Sequence, residues 1–327
     1  MAQRRSQAGF AEAFMHPSVG RNRRLEEFSQ HLDWEPLEQL LAEMRPGKRG
    51  PPPFPALLMF KALLLQQWYG LSDPGLEEAL SDRMSFRRFV GLNADQAAPD
   101  HSTLWRFRQA LSAQGLDQAV FEAVSLQLDG AGLIVRQGTL IDASLVPAAS
   151  RPPKKPEPGE LEPGASLLVG APREPDANWT RRGGKRFFGY KAHVAMDRGS
   201  QLIRRVRLTP ASVNDTTPAD DLILGDEAEV WADKAYDSHE RRARLKAARV
   251  KNRIMRRGNK HHPETRWCER RNTLIGKVRG RVETAFAILK SHYSLRRARY
   301  RTLIRNQADL VLACLAMNLR RALILTA

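Results

Sequence analysis

Hydrophobic residues over the first 135 positions recur at helical spacing. The run from Pro55 to Tyr69, PALLMFKALLLQQWY, is apolar almost throughout. It is too long for a strand and shorter than the roughly 20 residues a bilayer span needs, which predicts a buried helix. Short helices are predicted over Leu76–Leu80 and Ser85–Val90, split by turn residues. Asp100, His101 and Ser102 then offer caps ahead of TLWRFRQAL, where Leu104, Phe107 and Leu111 share one face. Short helices joined by tight turns suit either a helix-turn-helix reader of DNA or a small bundle used for packing or dimerisation, and the pattern does not separate them.

The pattern changes at Gly138. GTLIDASLV is a short β-rich run ending at Pro147, and residues 150–184 carry many Pro and Gly, which predicts a long surface loop or insertion. FFGYKAHVAMD and QLIRRVRLTP then read as two strands of a hairpin joined at Arg198-Gly199-Ser200. A short helix is predicted over Pro218–Leu224, a strand over Glu229–Asp233, a basic helix over His239–Ala248 and a strand over Arg253–Met255. The strongest helical pattern runs from Arg270 to Ser291, and a last helix from Asn306 to Leu325. The predicted organisation is an all-α domain over 1–135, for DNA binding or dimerisation, and a mixed α/β domain over 136–327 with a mixed sheet flanked by helices.

Charge alters this picture. The 327 residues hold 53 Lys+Arg and 36 Asp+Glu, a net of +17, but the excess is local. From Glu240 to Ala327 there are 24 basic and 5 acidic side chains, and the other 239 residues net −2. A field so concentrated suits a polyanion, because Lys and Arg release condensed counterions when they neutralise phosphates. Two cysteines, Cys268 and Cys314, exclude a disulfide framework, and the N-terminus lacks the apolar core of a secretory signal. The apolar stretch Leu310–Leu325 contains Asn318, Arg320 and Arg321, so no membrane span is expected.

Three acids stand out. Asp142 follows Thr139-Leu140-Ile141 and precedes small Ala143 and Ser144, and Asp233 follows Val230-Trp231-Ala232; a carboxylate embedded in such a strand is costly unless a partner or metal compensates it. In open α/β sheets, sites collect beyond the carboxyl ends of strands, where Asp233 is expected to lie. Either acid alone reads as readily as a strand-ending cap. Glu283 lies beside the apolar stripe Ile275, Val278, Val282, Phe286 and Leu289, on the same side as Arg279 and Lys290. An exposed Arg279–Glu283 pair is the usual fate of that spacing, yet Glu283 is the sole acid between Arg270 and Gln307.

Over most of its length the chain resembles the DDE transposases of bacterial insertion sequences, in the group called the IS-five family. The resemblance is carried by LLMFKALLLQQWYGLSD, SFRRFVGL and PDHSTLWRFRQ in the first half. It continues through TLIDASLV, DANWTRRGGKRFFGYKAHVAMD, VWADKAYDS, RVETAFAILK and RRARYR. The family's last motif runs Tyr, two residues, Arg, three residues, Glu, six residues, Lys; Arg279, Glu283 and Lys290 fit it, and Gly276 stands at the Tyr position. The resemblance implies a ribonuclease H-like catalytic domain whose Asp142, Asp233 and Glu283 hold two Mg²⁺ ions, with Mn²⁺ able to substitute. Such a site cuts with water and joins with a freed 3′ hydroxyl, without a covalent protein–DNA intermediate.

The implied partners are double-stranded DNA, as terminal inverted repeats and target, and a second copy of the chain, since two element ends must be held together. A bacterial cytoplasmic location, on the nucleoid when DNA is bound, follows from the same resemblance. Candidate DNA contacts are Arg181, Arg182, Lys185, Arg186, Lys191, Arg279, Lys290, Arg296, Arg297, Arg299 and Arg301. Lys191 and His193 alternate on one strand and are candidates to face the site. Asp215 and Asp237 are read as caps of the helices that follow them and as fallback ligands. His261, His262, Cys268 and Glu269 make only a weak zinc pattern.

Overall fold

The computed structural model describes residues 16, 18–44, 53–150, 174–258 and 263–326. These fall into two compact units, one within Met1–Ile134 and Val311–Ala327, the other within Val135–Leu310. The helical unit contains α1 (Arg23–His31), α2 (Glu35–Ala42), α3 (Ala56–Tyr69), α4 (Asp73–Asp82), α5 (Met84–Val90), α6 (His101–Ala113) and α7 (Leu116–Gly130). The apolar run becomes α3, with Phe60, Leu63, Leu64 and Leu65 fully buried. It stops at Gly70, whose φ of +63° is a left-handed cap.

Asp100 caps α6 as expected, accepting from the Thr103 amide at 2.6 Å. The inner face of α6 differs from the pattern. Leu104 and Leu111 are buried, Phe107 is only half-buried, and Arg108 is inside. Arg108 survives there because Asp73 and Gln66 each accept from it at 2.8 Å.

The second unit is built on one mixed sheet of β1 (Thr139–Pro147), β2 (Asn178–Arg182), β3 (Lys185–Asp197), β4 (Ile203–Pro210), β5 (Glu229–Ala232) and β6 (Lys251–Ile254). Its order is β2-β3-β1-β5-β6, with β4 also paired to β3. β3 runs antiparallel to β1, β2 and β4, whereas β1, β5 and β6 are mutually parallel in sequence of pairing. Helices α8 (His239–Ala247), α9 (Arg266–Arg279) and α10 (Arg281–His292) follow; the last helix, α11 (Leu303–Thr326), belongs to the helical unit from Val311 onward. Ile141, Ala195, Val230, Ala232, Tyr236 and Leu245 share one buried cluster beneath the sheet's parallel half.

Gly189 lets β3 pass β1 at close range: a Cβ there would lie 2.3 Å from the Val146 carbonyl oxygen. The expected β3–β4 hairpin closes on the buried carboxylate of Asp197, which accepts from the amides of Arg136, Gly199 and Ser200.

Three expectations need correction. The helix predicted over 270–291 begins earlier, at Arg266, and divides at Gly280. There the Glu283 amide bonds back only to the Gly280 carbonyl, a tighter turn that glycine's poor helix propensity permits. The helix predicted over Pro218–Leu224 shrinks to a 3₁₀ turn at Thr217–Asp220. The predicted loop over 150–184 contains β2, which pairs with β3 from Asn178↔Gly189 to Arg182↔Lys185; most of the remainder lies outside the described residues.

Candidate active site

Asp142 and Asp233 are brought together by strand register. β1 and β5 pair in parallel as Thr139↔Val230 and Leu140↔Trp231, and continuing that step sets Asp142 beside Asp233. The buried runs before each acid fix the register, because slipping by one residue would turn Ile141 and Ala232 out of the core. Asp233 therefore sits just past the carboxyl end of β5, where α/β sheets place their sites, and Asp142 lies beside it in the middle of β1, where the parallel pairing with β5 runs out. Asp233 also caps the 3₁₀ turn Lys234–Tyr236 by accepting from the Lys234 amide.

Glu283 reaches this corner through Arg279. One guanidinium nitrogen of Arg279 donates to Asp142 at 2.6 Å and another to Glu283 at 3.0 Å. Arg279 and Asp142 are largely buried, whereas the Glu283 side chain is 63% exposed. The helical pair anticipated from spacing thus exists, and its arginine is shared with a strand acid far away in sequence. Burial raises the Asp142 pKa, and the nearby charges of Asp233 and Glu283 push the same way; Arg279 and the Ala143 amide oppose them.

Among the described residues, no three His, Cys, Asp or Glu side chains converge closely enough to hold one metal ion. The donor set is nonetheless of the kind a hard dication takes: carboxylate oxygens in a half-buried corner whose charge calls for a cation. Asp142 and Asp233 supply two such carboxylates side by side, whereas Glu283 is joined to them only through Arg279.

Sequence reasoning missed Tyr236. Its ring is in the core and its hydroxyl is buried with no hydrogen-bond partner among the described residues. Burial drives its pKa strongly upward, helped by the negative charges of Asp215, Asp142 and Asp233. The signal is present in Asp233-Lys234-Ala235-Tyr236: one tight 3₁₀ turn returns the fourth residue toward the side of the first.

The fallback acids have other occupations. Asp215 does not cap the following turn; it pairs with Lys191 Nζ at 2.8 Å. Asp237 does not cap α8 either, since Ser238 accepts from the Arg241 amide in that role while Asp237 pairs with Arg242. Lys191 also donates to the Val213 carbonyl at 2.7 Å, so its ammonium is engaged internally. His193 is fully buried with Nε2 2.9 Å from Thr209 Oγ1, and burial lowers its pKa to about 4.

Of the other basic candidates, Arg297 is tied to the Ala148 and Ala149 carbonyls beyond β1. Lys290 is half-buried on α10, and Arg296 and Arg301 are exposed. Arg299 lies over the Tyr300 ring. Arg181, Arg182, Lys185 and Arg186 crowd the β2–β3 turn. Cys268 and Glu269 lie in the first turn of α9, and His261 and His262 fall outside the described residues.

Sheet, helices and the neighbouring acids of β1 and β5 define a mixed α/β unit with a carboxylate corner, preceded by a helical unit. Comparison with known families agrees in both halves. Residues 134–319 match the family described as Transposase DDE domain. Residues 14–110 match the family described as Transposase domain (DUF772). The first match spans more than half of the chain, and the protein belongs to the DDE transposase family. No solved structure matches it. None of the helices among the described residues is long and apolar enough to cross a membrane.

Proposed function

We propose that this protein is a metal-dependent transposase of the IS-five group that cuts and joins DNA at the ends of an insertion sequence. Its second unit would act as a ribonuclease H-like catalytic domain. The observation that carries the reading is the parallel register that sets Asp142 beside Asp233, with Glu283 tied to Asp142 through Arg279. Asp142, Asp233 and Glu283 would hold Mg²⁺ or Mn²⁺. When bound, the metal supplies charge neutralisation at phosphorus and a more nucleophilic attacking oxygen.

This chain's own groups do the rest. Arg279 sets the Asp142 and Glu283 carboxylates against each other and compensates their charge. The buried Tyr236 hydroxyl, without a partner among the described residues and within reach of the charges of Asp142 and Asp233, would serve as a donor to the acids. The cations of the C-terminal quarter hold phosphates and exclude other registers of the duplex. A pair of protomers would hold two element ends side by side for joining.

The test is supercoiled plasmid carrying candidate element ends, incubated with the protein and Mg²⁺. Insertion products that vanish in EDTA and in Glu283→Gln are the expected result. Cleavage without joining would reduce the reading to a metal nuclease, and binding alone to a transposase-derived DNA-binding protein.

A further inference from the structure

The β2–β3 hairpin is charged in a way its own stability does not explain. Its register sets Arg181 opposite Arg186 and Arg182 opposite Lys185. Like charges directly opposed across two strands repel and weaken the pair. All four side chains are exposed, and none has an ion pair or hydrogen bond to any described residue. The half-buried Lys290 of α10 is close enough to feel Arg182, whose charge adds to burial in lowering the lysine's pKa. Among the described residues, a fifth cation therefore stands near the arm rather than a compensating acid.

The shape is equally specific. The turn is Gly183-Gly184 with φ of +55° and +79°, the two left-handed positions of a type I′ turn. Alternation along the strands puts Arg182 and Lys185 on one face of the ribbon, and Arg181 and Arg186 on the other. Trp179 and Phe188 lie on the Arg181 face at the arm's base, their rings 5.3 Å apart, with Trp179 47% exposed. A ribbon built to lie flat on a phosphate backbone needs cations on one face only. This one carries two on each face and nothing at its tip.

We propose that the β2–β3 hairpin enters the major groove of duplex DNA tip first, each charged face set against one wall of phosphates. Dimensions decide the groove. A ribbon with side chains on both faces is about 10 Å thick, judging from the packing distance of stacked sheets. The major groove is about 12 Å wide and admits it, whereas the minor groove at about 6 Å does not. The side-chain-free Gly183-Gly184 tip brings bare backbone to the base edges, so the arm positions the duplex by charge and shape rather than by reading a base. This inference rests on the reading that the chain acts on DNA, but not on the metal chemistry.

The experiment measures binding of the full chain to two duplexes, a candidate element end and an unrelated sequence, across a salt series. The quadruple variant R181A/R182A/K185A/R186A should reduce the log–log salt slope by about 3 to 4, since each lost phosphate contact removes about 0.9. The loss should be the same on both duplexes. Replacing the three arginines by lysine should leave the slope intact, which controls for misfolding. Methylation protection should show guanine N7 covered by wild type and uncovered with the quadruple variant.

A slope change below about 1, protection at adenine N3 instead of guanine N7, or loss confined to one duplex would overturn the proposal. So would loss in the lysine variant. Asp142→Asn, inert in strand transfer if the proposed function holds, should keep the wild-type slope. Failure of the chemistry and failure of the arm are thereby read separately.

Discussion

Arg279 donates to Asp142 at 2.6 Å across a sequence separation of 137 residues, joining the end of α9 to the middle of β1. The same guanidinium reaches Glu283, so one cation serves two acids of very different exposure. Breaking a fully buried pair costs about 3–5 kcal/mol, and an exposed pair contributes about 0–1.

With Asp142 18% and Arg279 17% exposed, Arg279→Ala should cost about 2 kcal/mol, between those limits. Glu283→Gln should cost only about 0.2–0.5 kcal/mol, since that carboxylate faces solvent. Thermal unfolding of the two variants checks the contrast. If the acids bind a dication, Mg²⁺ should raise the melting temperature of Arg279→Ala more than that of wild type, because the metal replaces the lost positive charge. Equal melting of both variants without metal would show that Asp142 does not depend on Arg279.

Chemistry and stability should separate at the two neighbouring strand acids. Asp142→Asn and Asp233→Asn keep the shape of each side chain and remove its charge. Each should lower strand transfer by on the order of 10³-fold or more while leaving DNA affinity unchanged or slightly higher. Strand-transfer and binding assays on the same preparations measure both effects. Retained strand transfer in either variant would remove that acid from the site.

How far the sequence disclosed this site depended on the kind of signal. Asp142 and Asp233 were legible because each ends a run of buried β-formers, and a carboxylate there breaks the local hydrophobic rule. Glu283 and Arg279 were legible by helical spacing, but the bond from Arg279 to Asp142 was not, since no local pattern encodes a contact between distant elements. The break at Gly280 was hidden by an apolar stripe that keeps its phase from Ile275 through Leu289, masking the glycine within it.

β2 was hidden differently. Asn178–Arg182 is short and polar with no alternating apolar face, and only its pairing with β3 makes it a strand. Position alone predicts caps at Asp215 and Asp237, but Lys191 on a distant strand pairs with the first and Arg242, one helical turn further on, with the second.

Tyr236→Phe distinguishes a functional hydroxyl from a structural one. A buried hydroxyl without a partner is a cost to the fold of about 1 kcal/mol or more, so the phenylalanine variant should be at least as stable as wild type. If the hydroxyl orders the acids, strand transfer should fall by about 10-fold, on the scale of one lost hydrogen bond to a charged group. Denaturant unfolding and strand transfer together check this. A variant clearly less stable than wild type would mean that the hydroxyl is bonded to a carboxylate in solution.

His193 makes the acid side of the stability profile predictable. The ring is fully buried, Nε2 lies 2.9 Å from Thr209 Oγ1, and burial holds its pKa at about 4. The attraction of Asp215 and the repulsion of Lys191 are smaller influences and oppose each other. An unfolded histidine titrates near 6.5, so between about pH 6.5 and 4 the unfolded chain takes up a proton that the folded chain refuses. More protons bound in the unfolded state means that stability rises with pH in this window. The contribution is fully present above about pH 7 and lost on acidification toward 4, and is at most about 3 kcal/mol. Asp117 works in the opposite sense, because burial raises its pKa to about 6 and the folded state takes its proton first. That contribution is common to wild type and a His193→Gln variant, and it cancels in their difference. Urea unfolding of both proteins at pH 7.5, 5.5 and 4.5 should therefore show the advantage of wild type shrinking as pH falls, by about 2–3 kcal/mol across the series. A difference independent of pH would mean that the folded protein accepts the His193 proton as readily as the unfolded chain does.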